Sequence, residues 1–388
     1  MRLLFFSPHY GTLGGVRSIV DTLAHAALAA GHEVTFVVDR DAARAPGPAR
    51  EIMLYPFPTE MRDVRRLGRF ARKLPRAAAR LASAMRGGRP DVVSVHCMRR
   101  FAPYVAFLRR VTGVPQVLNL QEGALPPDVP QNVGLFRRLV GAADAVAACS
   151  EEAAEYARRH GGARRVAVVP NGYDPAEFRP GPPYPHPRPY VLGLGRLESQ
   201  KGFDTLVAAV DRIGADVDVL LAGDGSERLR LESLARERGV AARVRFVGAT
   251  DRSTTLALLR GAVVVACPSR FEGLPLVCIE ALAAERPLVA SAVNGIPEIV
   301  RHGETRLLVP ADDPVALASA LVRMLRAPDE AARFAARGRA LVEQRYAWPV
   351  ITPAYLALCA DVARDLPPSR SQDIRERSEF PVRSTRSS

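Results

Sequence analysis

The feature that most restricts the fold is a repeated alternation of short apolar runs with amphipathic stretches. In the first half, strands are expected at Arg2–Pro8, Glu33–Val38, Asp91–Cys97, Val117–Gln121, Ala145–Ser150 and Val166–Pro170. Helical spacing fills the gaps. Val16, Ile19, Val20, Leu23 and Ala27 mark one helix face, and Gly31 ends that helix. The second half repeats the pattern at Tyr190–Leu197, Val217–Gly223, Val244–Gly248, Val263–Pro268, Pro287–Ser291 and Leu307–Pro310. Strands alternating with helices form parallel sheets with helices on both faces. Between the halves, residues 174–189 are rich in proline and read as a stiff linker. The chain has 388 residues, more than one core usually serves, so two α/β domains are expected, at 1–173 and 190–346. Asp312-Asp313-Pro314 is a helix start, with a carboxylate cap and proline at the first position. Residues 365–388, rich in Ser, Arg, Glu and Pro, are expected to be disordered.

Hydrophobic residues make up 48% and charged residues 24%, which excludes a fibrous or wholly disordered chain. No apolar run approaches the ~18–20 residues of a spanning helix. The first ten residues hold too short an apolar run for a signal peptide, so the expected location is the cytoplasm. Cys97, Cys149, Cys267, Cys278 and Cys359 are odd in number and widely spaced, which suits reduced thiols better than disulfides or zinc. The histidines show no metal-ligand spacing.

The net charge is +13, and residues 61–110 carry +12 of it, from fourteen basic residues against Asp63 and Asp91. Within 61–86, Met61, Val64, Leu67, Phe70, Leu74, Leu81 and Met85 recur at helical spacing, with a kink or break expected at Pro75. Such a basic amphipathic helix either lies on an anionic membrane surface, at the inner face of the cell membrane, or packs on its own domain with solvated arginines. Nucleic acid is not expected, because no interleaved aromatics or nucleic-acid motif accompany the charge.

Ligands of such sheets bind beyond the carboxyl ends of the strands. Three loops there carry chemistry. Gly11-Thr12-Leu13-Gly14-Gly15 allows close backbone approach and leads into a helix N-terminus that favours an anion, although many such turns hold no ligand. The loop Gly193–Gly202 places Arg196 and Lys201 together, a pair suited to a diphosphate or simply two solvated cations. The loop Pro268–Glu280 carries two carboxylates: Glu272 after a strand, and Glu280 about two turns into the next helix. Free amides lie between them, around Gly273, Leu274 and Leu276. A carboxylate in an otherwise apolar helix needs a partner, either ligand hydroxyls or an arginine.

The pattern E-G-L-P-L-V-C-I-E at 272–280, with G-R-L-E-S-Q-K-G-F at 195–203, resembles the retaining glycosyltransferases of family 4. V-P-N-G-Y-D at 169–174, L-A-G-D-G at 221–225, F-V-G at 246–248 and N-G-I-P-E-I-V at 294–300 agree, so the likeness spans roughly residues 1–360. It implies the GT-B fold, two Rossmann-like doubly wound domains facing a central cleft. A C-terminal helix at 347–364 would cross back to the first domain. The first domain would hold a lipid-linked, polysaccharide or small-molecule acceptor, and the second a nucleotide-diphospho-sugar donor. Arg196 and Lys201 would hold the diphosphate, aided by amides around Gly273–Leu276 and by Gly14 and Gly15 across the cleft. Glu280 would bind the ribose and Glu272 the donor sugar. A metal-independent front-face hexosyl transfer with retention follows, with no other cofactor. The D-x-D at Asp216–Asp218 lies before a strand and reads as structural, not as a metal site.

Two positions depart from the family pattern. Gln121 stands where a histidine is common. It can hydrogen-bond but is no acid or base at neutral pH, which leaves the adjacent Glu122, or His96, as substitutes. Asn294 stands where a glycine often precedes Gly295. The alternatives to an active transferase are a catalytically impaired nucleotide-sugar-binding partner protein and, on the same fold, a sugar-nucleotide epimerase or glycan phosphorylase.

Overall fold

The computed structural model describes residues 1–7, 15–39, 50–54, 64–85, 88–96, 98–121, 133–299 and 307–365. The first half runs β1 (Arg2–Ser7), α1 (Gly15–Ala29), β2 (Glu33–Asp39), β3 (Arg50–Leu54), α2 (Val64–Met85), β4 (Val92–His96) and α3 (Met98–Thr112). It continues with β5 (Gln116–Leu120), α4 (Val133–Ala142), β6 (Ala145–Ala148), α5 (Glu151–Tyr156) and β7 (Val166–Val168). The second half runs β8 (Tyr190–Leu194), α6 (Phe203–Ala209), β9 (Asp218–Ala222), α7 (Arg228–Glu237), β10 (Val244–Gly248), α8 (Arg252–Gly261), β11 (Val264–Cys267), α9 (Leu276–Ala283), β12 (Leu288–Ser291), α10 (Ile296–Ile299) and β13 (Leu307–Val309). The helices α11 (Pro314–Arg326), α12 (Pro328–Arg345) and α13 (Trp348–Arg364) close the chain.

The strands form two parallel sheets, ordered β3-β2-β1-β4-β5-β6-β7 and β10-β9-β8-β11-β12-β13. In both, the chain moves outward from a central strand, returns, and fills the other side. This creates a switch point at the carboxyl ends of β1 and β4 in one sheet and of β8 and β11 in the other. The expected strands are all present. β3 was not expected from the sequence. It is a short edge strand, paired with β2 alone, whose apolar run, Ile52–Leu54, is only three residues long.

Helix α2 runs unbroken through Pro75, against the expected kink or break. Pro75 and Ala71 both lie on the exposed side, where water can satisfy the carbonyl that proline leaves unpaired. Its inward face, Phe70, Ala77 and Leu81, is buried. Asp313 caps α11, accepting from the amides of Val315 and Ala316 at 3.0 and 2.9 Å. Of the D-x-D pair, Asp218 is buried at the start of β9 and held by His186 Nε2 at 2.9 Å and Arg188 Nη1 at 3.1 Å. Those partners belong to the proline-rich segment, so the aspartate fastens that segment to the second sheet. Cys149, Cys267, Cys278 and Cys359 are free and buried, whereas Cys97 lies outside the described residues. The expected tail at 365–388 also lies outside them, apart from Asp365.

Although it follows the second half in sequence, α13 packs on the first sheet. Trp348, Ile351, Tyr355, Leu358 and Val362 share a core with Leu3, Phe5, Ile19, Leu23 and Val92. A polar cluster registers the contact. Ser94 Oγ lies 2.5 Å from the Tyr355 hydroxyl and 3.0 Å from His96 Nε2, and accepts from Asn119 Nδ2 at 3.1 Å. All four residues are buried, so each polar group depends on the others. Tyr355→Phe strips this cluster of one member and should cost about 1–2 kcal/mol in urea unfolding.

Candidate functional site

At the end of β8 the chain turns through Gly195, whose φ of +147° favours glycine. Arg196 follows, exposed, and its guanidinium makes no hydrogen bond or ion pair with the described residues. Ser199–Lys201 forms one 3-10 turn that swings Lys201 back over the sheet. There Lys201 Nζ meets Glu272 Oε1 at 2.5 Å. Ser269 Oγ donates to the same oxygen at 2.7 Å. Glu272 Oε2 has no partner among the described residues. Lys201 and Glu272 are 17% and 7% exposed, so this ion pair is largely withdrawn from water. Burial opposes the ammonium charge, but the Glu272 carboxylate outweighs it and holds the Lys201 pKa above its ordinary value.

The two loops are tied further by backbone bonds. Arg270 N–H donates to Gln200 O at 2.8 Å, and Gln200 Nε2 donates to Phe271 O at 2.9 Å. Arg270 also bridges Asp204 and Asp312, at 2.9 and 2.8 Å. The cation loop and the carboxylate loop therefore form one unit.

Helix α9 begins at Leu276 with Pro275 as a cap that offers no side-chain acceptor. Cys278 N–H donates to Pro275 O at 3.1 Å, while the amides of Leu276 and Val277 have no partner among the described residues. Glu280 is the fifth residue of α9, a little over one turn in instead of two. Its Oε1 accepts from Arg252 at 2.5 Å. Arg252 also pairs with Glu177 at 2.6 Å and lies over the Phe178 ring. The arginine partner, one of the two alternatives for this carboxylate, is thus present. Burial raises the Glu280 pKa, and Arg252 only partly offsets it.

The halves meet beside this loop. A Cβ on Gly273 would lie 2.1 Å from Gln121 O, so only glycine admits the approach of the two backbones. Asn171 Nδ2 donates to Leu274 O at 2.8 Å. Gln121 thus sits at the cleft just after β5, its Oε1 buried and unpartnered among the described residues. Glu122 and Gly14 lie outside the described residues, and Gly15 opens α1. His96 is fully buried, and burial lowers its pKa to about 3, so it stays neutral inside the Ser94–Tyr355 cluster. That fits a structural histidine, not an acid or base that substitutes at the cleft.

The structure therefore brings together Arg196, Lys201, Glu272, Gly273, Leu274 and Gln121, with Glu280 further along α9. It also reveals residues that sequence reasoning passed over, Arg252, Asn171, Glu152 and Glu298, and gives contacts to Asn294, which the sequence had marked only as a departure. Asn171, Asn294 and Glu298 fall inside motifs that the family resemblance quoted, so a signal was present without a role. Arg252 and Glu152 had none.

A cleft between two doubly wound parallel sheets, with a cation–carboxylate loop on one wall, defines the GT-B class. The glycosyl transferases group 1 family model matches residues 175–341, and the glycosyltransferase family 4 model matches residues 13–177. The chain belongs to the family 4 glycosyltransferases. It is 34% identical over 265 residues to D-inositol 3-phosphate glycosyltransferase of Xylanimonas cellulosilytica, covering 62% of this chain and 63% of that protein. It is 29% identical over 362 residues to the lipopolysaccharide core biosynthesis glycosyltransferase LpsD of Rhizobium meliloti, covering 90% and 96%. Sucrose-phosphate synthase from Thermosynechococcus elongatus superposes with a TM-score of 0.81 at 26% identity, over 94% of this chain and all of that one.

The raised Glu280 pKa has a consequence for stability. A carboxyl raised above its unfolded value of 4.5 contributes fully only below that pH, and loses the contribution as pH rises through the folded value. Glu280→Gln, which cannot ionise, should melt at the wild-type temperature or higher at pH 7–8. Near pH 4 the difference should vanish in thermal scans.

Proposed function

We propose that this protein transfers a hexosyl group, with retention, from a nucleotide-diphospho-sugar to a lipid-linked or envelope-glycan acceptor. The observation that carries this reading is the shared loop unit that holds the buried Lys201–Glu272 pair and, five residues before Lys201, the exposed Arg196, which pairs with none of the described residues. As the bond from the anomeric carbon to the leaving phosphate oxygen breaks, negative charge builds on the diphosphate. Arg196, Lys201 and the amides at Gly273–Leu276 stabilise that charge from fixed positions. Gly14 and Gly15 would approach it across the cleft.

The acceptor oxygen attacks the anomeric carbon from the same face and forms the new glycosidic bond. Its proton passes to the departing phosphate oxygen. Glu272 Oε2 accepts from a donor-sugar hydroxyl, and Glu280 Oε2 from a ribose hydroxyl, while Arg252 holds the other Glu280 oxygen. Gln121 orients the sugar by hydrogen bonding, and Glu122 is the next residue in sequence. No protein nucleophile, metal or other cofactor enters the step.

The acceptor side is supported by the basic segment. Among the described residues, no helix is long and apolar enough to cross a membrane. Arg69, Arg72 and Arg76 of α2 are exposed, as is Leu74 at 39%. Helix α3 packs against α2 through Tyr104 on Phe70, their rings 5.5 Å apart, and exposes Phe107, Arg110 and Val111. Apolar side chains among arginines suit the interface of an anionic bilayer, where a lipid-linked acceptor would lie. The relative LpsD is a lipopolysaccharide core biosynthesis glycosyltransferase.

The test is binding and turnover of a panel of nucleotide-sugars in EDTA, with the anomeric configuration of the product read by NMR. Retention without added metal is expected. Binding of no donor, or an inverted product, overturns the reading. Arg196→Ala should lower turnover by roughly 10²–10³-fold with an unchanged melting temperature. The protein should co-float with anionic vesicles at low salt, stay behind with zwitterionic ones, and be released as salt rises.

A further inference from the structure

The turn before α10 reaches both ways. Asn294 has a φ of +43°, a left-handed conformation that asparagine tolerates better than most residues. Its Oδ1 accepts from the backbone N–H of Glu272 at 3.2 Å. Its Nδ2 donates to Glu152 Oε1 at 3.2 Å, across the cleft at the start of α5. One amide therefore touches the site loop of the second half and a carboxylate of the first. Four residues on, Glu298 fastens the same junction. Its two oxygens accept from the backbone N–H groups of Glu151 and Glu152 at 2.7 and 2.8 Å. A carboxylate on the amides of a helix start is a charge-assisted contact, aligned with the helix dipole.

A glycine at 294 would adopt this backbone but make neither side-chain bond. The departure from the family pattern noted in the sequence is thus one of the groups that join the halves. We propose that Asn294 is a positioning residue that sets the Glu272 loop only when the two halves are together, with Glu152 as its partner and Glu298 as the fastening. Domain approach and donor-sugar orientation are then one event. This rests on Glu272 facing the donor sugar, but the link between the halves has a readout of its own.

The variants separate linkage from folding. Asn294→Gly fits the backbone and removes both bonds. It should lower kcat about tenfold, as loss of one neutral and one long carboxylate hydrogen bond would, with donor Kd within about twofold of wild type. Asn294→Asp keeps an oxygen for the Glu272 amide but sets a second carboxylate against Glu152. It should lower kcat further and enlarge the radius of gyration in solution scattering. Adding Glu152→Gln to Asn294→Asp restores an amide–carboxylate pair with the roles exchanged. It should return both readouts towards wild type. Glu152→Ala combined with Asn294→Gly should be no worse than Asn294→Gly alone.

Wild-type kcat in both Asn294 variants overturns the proposal, as do independent, additive effects at 294 and 152. So does failure of Glu152→Gln to rescue either readout. A wild-type protein that turns over no sugar donor removes the functional reading instead, while the scattering comparison still decides whether Asn294 and Glu152 hold the halves together.

Discussion

The Lys201–Glu272 pair is the contact on which the site depends. It joins the loop after β8 to the loop after β11, the two strands that flank the switch point of the second sheet. A buried ion pair adds little stability for its own sake, because two charges leave water to form it. Its effect is geometric. Ser269 and Lys201 engage one oxygen of Glu272 and leave the other unengaged by the described residues. The cost of ordering these side chains is met before any ligand arrives.

The second theme is the contact between the halves. Gly273 lies against the backbone of Gln121, Asn171 holds Leu274 O, and Asn294 and Glu298 hold the start of α5. All of these fall on the site loop or the turn beside it. Helix α13 works from the opposite side. It leaves the second half and buries Tyr355 in the first, beside Ser94 and Asn119. The chain therefore crosses between its halves by covalent linkage before β8 and after α12, and by polar contacts at the cleft.

The strands and the loops that carry the candidate site residues were legible because their signals are local. Apolar runs of strand length recur, Asp313-Pro314 announces a helix start, and Glu272 and Glu280 stand eight positions apart around a glycine. The edge strand Arg50–Leu54 was not legible, because its apolar run, Ile52–Leu54, is only three residues long. Nor was the straight course of α2 through Pro75, since that depends on which side of the helix faces water. The partner of Glu280 was open between an arginine and ligand hydroxyls. Arg252, 28 residues away, settles one oxygen by folding alone.

What the sequence by itself determined is the alternation that demands parallel sheets, the two-part division, and the residue types gathered after β8 and β11. Those follow from backbone periodicity and from side-chain chemistry carried within a few residues. Only the tertiary structure decided which charges meet. Lys201 spends its charge on Glu272 while Arg196 keeps its own; His96 is sealed in a core; Asn294 touches both halves. These are contacts between segments separated by tens to hundreds of residues, and burial fixes their energies. No local pattern encodes that burial, because it exists only once the two sheets and α13 have packed together.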